Sequence, residues 1–179
     1  MSENIVKYGN TGISKIANEY KAIKVRNEDD VFNSKNKSLI LMTPEIGAMG
    51  VKALLSYAIS DLVDFFNLGK TMTVEQIAQT VEMIIDEFGM LKIDDFKLCF
   101  SRAKKGYYGQ IYDRLDGQII FLWLNTYTEN RFNIAEEQSY RNHLETKQSF
   151  LNTSERLKKE AHERELEVFK LKTEYNEHK

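Results

Sequence analysis

From Asp116 to Lys179 the chain contains no proline and, after Gly117, no glycine. Nothing in that stretch breaks a helix or carries the ~1 kcal/mol penalty of an internal glycine, so the spacing predicts one very long helix over the last third. Its apolar residues thin out after Tyr127, and 20 of the last 49 residues are charged. The helix is therefore expected to begin inside a compact domain and to continue as a helical arm, a design that serves assembly.

Ahead of that helix the chain is rich enough in apolar residues to build a core, at 42% hydrophobic and 11% aromatic. The fold expected is all-α: a compact domain of about four helices over residues 43–131, preceded by a partly ordered segment, 1–42, and followed by the arm, 132–179. In the first segment Ile13, Ile16, Ala17, Tyr20 and Ile23 recur at helical spacing and predict a short helix from about Ser14 to Val25. The remainder of the segment reads as loop. Ser38 to Met42 fits either a short strand or the lead-in to a helix.

Thr43-Pro44-Glu45 has the form of a helix start: a hydroxyl cap, a proline where no N–H is needed, and an acid at the positive end. That helix should run to about Asn67, stopped by Leu68-Gly69. Thr73-Val74-Glu75-Gln76 has capping-box spacing and opens a second helix ended by Gly89. A third runs from about Asp94 to Lys104, with its acids in the first turn and its bases in the last. Gly106 stops it. After the Gly106 to Leu115 loop, Asp116 caps the long helix, which docks through Ile119, Ile120, Trp123, Leu124 and Tyr127.

The net charge of −2 provides no global attraction to nucleic acid, so contact with it requires a local patch. Basic and aromatic residues interleave at one place, where Arg102, Lys104 and Lys105 meet Tyr107 and Tyr108, with Arg114 a little further on. Such a cluster can hold phosphates while a tyrosine stacks on an exposed base. The competing reading is a helix C-terminus whose tyrosines pack back on the domain, and it has the greater weight.

All three histidines, His143, His162 and His178, lie in the arm, which leaves the body without a histidine base or zinc ligand. No phosphate-binding glycine loop occurs. Glu75, Glu82, Asp86, Glu87, Asp94 and Asp95 make residues 71–100 acidic; a solvated face is the favoured reading and a Mg²⁺ or Mn²⁺ site the alternative. Cys99 sits between Leu98 and Phe100 and lacks an activating partner, which predicts an inert thiol in a reducing compartment. The expectation is thus no enzyme and no cofactor. The N-terminus lacks a secretory pattern and no window was expected to reach the apolar length of a membrane span, so a cytoplasmic protein without membrane contact follows.

In the arm a seven-residue seam runs through Tyr140, Lys147, Ser154, Ala161, Val168 and Tyr175, with His143, Phe150, Leu157, Arg164 and Leu171 three positions on. Half of these are polar, which makes a weak heptad pattern. Leu144, Phe150, Leu151, Leu157, Ala161, Val168 and Leu171 are the candidate oligomerisation residues. An isolated helix of this kind is marginal, so it is expected to pack on its own body, on a second copy or on another protein.

Leu91-Lys92, the aromatic helix with Phe96 and Phe100, then Gly106-Tyr107-Tyr108-Gly109-Gln110-Ile111-Tyr112, Asp116, and Tyr127 to Arg131 together resemble a family of small proteins carried by phages and conjugative elements of Bacteroides-type bacteria. The shared pattern is a Gly-x-Tyr-Gly-x-x-Tyr loop, an acid, a helix and a terminal arginine. It covers about a quarter of the chain, and Asp116-Gly117 stands where Asp-Pro is more usual. The resemblance implies a mobile-element origin in a bacterial host and brings no activity with it. In helix order and tyrosine content there is a looser likeness to phage helicase loaders. These likenesses imply a non-enzymatic adaptor in phage or mobile-element DNA metabolism, with a helicase or other replication protein, or single-stranded DNA, as partner. The alternative is a structural protein of a phage particle, meeting other virion proteins and oligomerising through the C-terminal helix.

Overall fold

The computed structural model describes the backbone of residues 10–177 and the side-chain surroundings of residues 15–165. The fold is all-α, and the described residues form six helices: α1 (Asn10–Ala22), α2 (Glu28–Phe32), α3 (Leu39–Phe66), α4 (Val74–Phe88), α5 (Ile93–Lys104) and α6 (Gly117–Glu177). Among the described residues β pairing is limited to two isolated bridges, Ser38 with Lys92 and Lys70 with Arg114. Two compact units share the chain, residues 1–131 and 132–179.

In the first unit α3 is the central element, packing against α1, α4 and α5, while α2 packs on α5. Val51, Leu54, Leu55, Ala58, Ile59, Leu62 and Val63 follow helical spacing down its buried side. Burying side chains the size of Leu55, Ile59 and Leu62 is worth about 1.5–3 kcal/mol each, so this stripe sets the packing order of the unit. By length and composition α3 would also pass for a membrane span, which corrects the expectation that no window reaches that level. Along the sequence the run is interrupted by Lys52 and Asp61, which hides its mean apolar character.

The expected helix start at Thr43 is also corrected. α3 begins four residues earlier and breaks at Gly47, whose φ of 76° and ψ of 159° lie outside helical geometry. Thr43 is not a cap: its hydroxyl donates back to the Leu39 carbonyl at 3.0 Å, and Pro44 lies within the first segment. The orphan N–H groups at the true start are satisfied from elsewhere in the fold, Leu39 donating to the Leu91 carbonyl at 3.0 Å and Ile40 to that of Gly89 at 3.1 Å. No local pattern announces a start that is capped by a loop 50 residues away. Of the two readings for Ser38 to Met42, the helical lead-in is the one observed.

Residues 26–37, expected as loop, contain α2, capped by the Asn27 side chain, which accepts from the Asp30 N–H. Helices α4 and α5 occupy their expected spans, and the Thr73–Gln76 capping box is complete. Asp116 caps α6, accepting from the Ile119 N–H at 3.2 Å.

Asp94 and Asp95 do not belong to a solvated face. Asp94 is buried and accepts from the Ser34 hydroxyl and the Asn36 amide, at 3.0 and 2.9 Å. Asp95, with no exposed surface, accepts from the Lys92 N–H at 2.7 Å, the Tyr127 hydroxyl at 2.7 Å and the Arg131 guanidinium at 2.6 Å. Lys92 in turn donates its ammonium to the carbonyls of Val31, Phe32 and Ser34. These charges are fully used in tying residues 28–36 to α5 and α5 to α6. Burial, followed by the adjacent Asp95 charge, raises the Tyr127 hydroxyl far above its ordinary range, which keeps it protonated as the donor.

Candidate functional site

The tyrosine loop starts where α5 ends. The Tyr107 N–H donates to the Arg102 carbonyl at 3.0 Å and the Gly106 N–H to that of Ala103 at 2.9 Å, a Schellman closure that requires positive φ at Gly106, observed at 78°. A second reversal at Gly109, φ 99°, brings the chain back toward α6.

Three tyrosines leave this loop in different ways. Tyr108 turns inward, its ring stacked 6.0 Å from Trp123 with its hydroxyl 3.6 Å from Cys99 Sγ. Tyr107 stays exposed, edge-on to Tyr108 and 5.3 Å from the Arg102 guanidinium. Tyr112 is the most exposed and bonds Gln110 at 3.1 Å. Of the three, Tyr108 alone packs between α5 and α6. Between the loop and α6 lies an open cleft of about 510 Å³, lined by Lys70, Tyr108, Ile111, Tyr112, Arg114 and Trp123 among others.

The basic cluster is largely neutralised. Arg102 makes a bidentate pair with Glu28, at 2.5 and 2.9 Å, and Lys104 pairs with Asp61 at 2.6 Å while lying over the Phe65 ring. Burial alone would raise the Glu28 carboxyl, but the Arg102 hydrogen bonds outweigh it and hold the group below its ordinary range. Lys105 remains exposed, and Arg114 contacts Asp116 at 3.2 Å on the surface. The structure thus separates residues that the sequence groups together: Arg102 and Lys104 are spent on partners 74 and 43 residues away, and Tyr108 on Trp123. Lys70, which the sequence reading passed over, joins the cleft through the Lys70–Arg114 bridge, a pairing without local signal.

Cys99 is buried and its thiol is pushed up to about 12 by that burial, with the Tyr108 hydroxyl and the Arg102 charge opposing the rise. It stays protonated at neutral pH. Among the described residues no group of three or more His, Cys, Asp or Glu side chains is arranged to hold a metal ion.

In the second unit the oligomerisation candidates stand on a helical surface. Leu144, Phe150, Leu151, Leu157 and Ala161 are exposed, as is Tyr140, and at 3.6 residues per turn they fall within an arc of about 140°. Arg156, Glu160 and Arg164 are joined by ion pairs four residues apart; Arg156 and Glu160 lie on the other side and Arg164 borders the arc next to Leu157. The side chains of Val168 and Leu171 lie outside the described residues.

Comparison with known proteins yields no match: no family model fits the chain, and no curated protein or solved structure does so at a significant level.

Proposed function

We propose that this protein is a non-enzymatic adaptor that works by offering the helical segment 132–177 to other helices, in the first place to a second copy of itself. The observation that supports this reading is the row of exposed apolar side chains, Tyr140, Leu144, Phe150, Leu151 and Leu157, on one side of a helix. Large apolar residues in contiguous exposure mark contact surfaces, and a row at helical spacing fits a partner helix. Acids and bases in the segment after Asn130 balance at ten each, so two copies attract as readily as they repel. The setting, phage or mobile-element DNA metabolism with a replication protein as second partner, is the one that the family resemblance implies.

The same surface would serve a structural component of a phage particle, and the two readings differ in whether assembly closes. Light scattering on the full chain is expected to give one defined oligomer, converted to monomer by the combined changes Leu144→Ser, Phe150→Ser, Leu151→Ser and Leu157→Ser while the helical circular dichroism of residues 10–131 persists. Open-ended growth with concentration would favour the particle component. A monomer at all concentrations would overturn self-association.

A further inference from the structure

A second concentration of charge lies on the face formed by α1, α3 and α5. Lys97 holds its ammonium 4.1 Å from the centre of the Tyr20 ring, and Tyr20 meets Tyr57 edge-on at 5.8 Å. Lys21 lies 6.0 Å over the Tyr57 ring. Lys104 reaches the Asp61 carboxylate and main-chain carbonyl, at 2.6 and 3.2 Å, above Phe65. The Asp61 carboxylate and the Lys104 and Lys21 ammonium groups all act on Lys97.

Among the described residues neither Lys21 nor Lys97 forms an ion pair, although Lys97 is partly buried. Burial lowers the Lys97 ammonium, Asp61 restores part of the loss, and the repulsion of Lys104 and Lys21 adds to it. An under-neutralised cation held half out of water is unfavourable in the isolated fold. An incoming anion relieves that cost, whereas a surface lysine with full hydration gains little from one. Lysine presents a compact point charge suited to phosphate oxygens. Phe65, 55% exposed beside Lys104, gives a flat apolar surface on which a base can stack.

We propose that Lys21 and Lys97, beside the Lys104–Asp61 pair, form a binding face for the phosphodiester backbone of a single-stranded nucleic acid, with Phe65 as the stacking platform. This face differs from the cluster that the sequence points to, since Arg102 is consumed by Glu28 and the new members come from α1 and from one face of α5, where Lys97 and Lys104 stand two turns apart. It is independent of the C-terminal segment.

The test is fluorescence anisotropy of a labelled thymidine oligonucleotide of about 20 nucleotides with the full-length chain over a salt series, long enough to cover one site of the usual size. Two phosphate contacts fewer should lower the slope of log K against log salt by about 1.4 for single strands, so Lys21→Gln with Lys97→Gln is expected to bind weakly and with that flatter slope. Asp61→Asn removes the carboxylate that faces Lys97 and Lys104 and is expected to bind more tightly than the parent chain, a sign that a merely structural role would not produce. Thermal melts of each variant confirm that the comparison is between folded proteins. Binding unchanged by the double lysine substitution, no oligonucleotide binding at low salt, or binding only to phosphatidylserine vesicles or poly-glutamate would each overturn the proposal.

Discussion

Replacing Asp95 by alanine removes the acceptor on which three groups converge. Arg131, whose side chain is 18% exposed, loses its partner; the Tyr127 hydroxyl is left in a site without water access; and the first turn of α5 loses the carboxylate that accepts from the Lys92 N–H. Breaking a buried pair costs about 3–5 kcal/mol. A buried hydroxyl without an acceptor costs about 1–3 kcal/mol, and a lost cap about 1 kcal/mol. These terms share one carboxylate and overlap, so the sum is an upper bound and the expected loss is about 4 kcal/mol. In a chain of this size that lowers the melting temperature by about 8–16 °C, at roughly 2–4 °C per kcal/mol. Urea denaturation followed by circular dichroism measures it directly. The double-mutant cycle with Arg131→Met should return a coupling above about 1 kcal/mol, since in the double variant neither charge is left alone. A loss below about 1 kcal/mol for Asp95→Ala, with no coupling to Arg131, would refute the claim that this cluster fastens α6 to α5.

Further outcomes follow from the same geometry. Glu28 is held below its ordinary range, so the Glu28–Arg102 pair contributes stability present above the unfolded carboxyl pKa of about 4.3 and lost as pH falls through the depressed folded value. Between neutral pH and strong acid, Glu28→Gln should therefore flatten the decline in melting temperature. At Gly109 a Cβ meets nothing within 4 Å, but φ is 99°, so Gly109→Val is expected to cost about 1–3 kcal/mol through backbone strain alone. An unchanged melting temperature with lost partner binding would instead make this a recognition loop. Gly89→Ala is expected to be destabilising for the opposite reason, because its Cβ would lie 2.6 Å from the Ile85 carbonyl and 2.9 Å from Ile40, a crowding worth about 1–3 kcal/mol in thermal melts. Cys99 should resist thiol reagents in the folded chain and react on denaturation.

How far the sequence carries depends on the range of the interaction. Thr73 and Gln76 lie three residues apart and satisfy each other, so their helix start is legible; Gly106 and Gly109 are legible because a Schellman end and a tight reversal need their freedom. The start of α3 is hidden because its N–H groups bond to Gly89 and Leu91. The acidic run fails for the same reason: at helical spacing Asp95 looks like a dipole-complementing surface acid, and nothing local shows that Tyr127 and Arg131 arrive 32 and 36 residues later. The departure at Gly117 acquires a reason only in three dimensions, where an added Cβ would sit 2.9 Å from the Thr80 hydroxyl, so the close approach of α6 to α4 needs glycine there.

Charge in the first unit divides into two populations, and the division separates fold from function. Glu28, Asp94, Asp95, Arg102 and Arg131 are buried or half-buried and matched, each acid meeting a cation or a neutral donor at hydrogen-bond distance. Removing one member strands the other, so these residues hold the helices together and are not available to a ligand without unfolding cost. Lys21 and Lys97 have no such partner, and Lys97 is partly withdrawn from water all the same. Matched ion pairs account for the first population, whereas the second is held by aromatic faces alone, Lys97 over Tyr20 and Lys21 over Tyr57. On the binding face proposed above, the partner that would complete this charge is an anion.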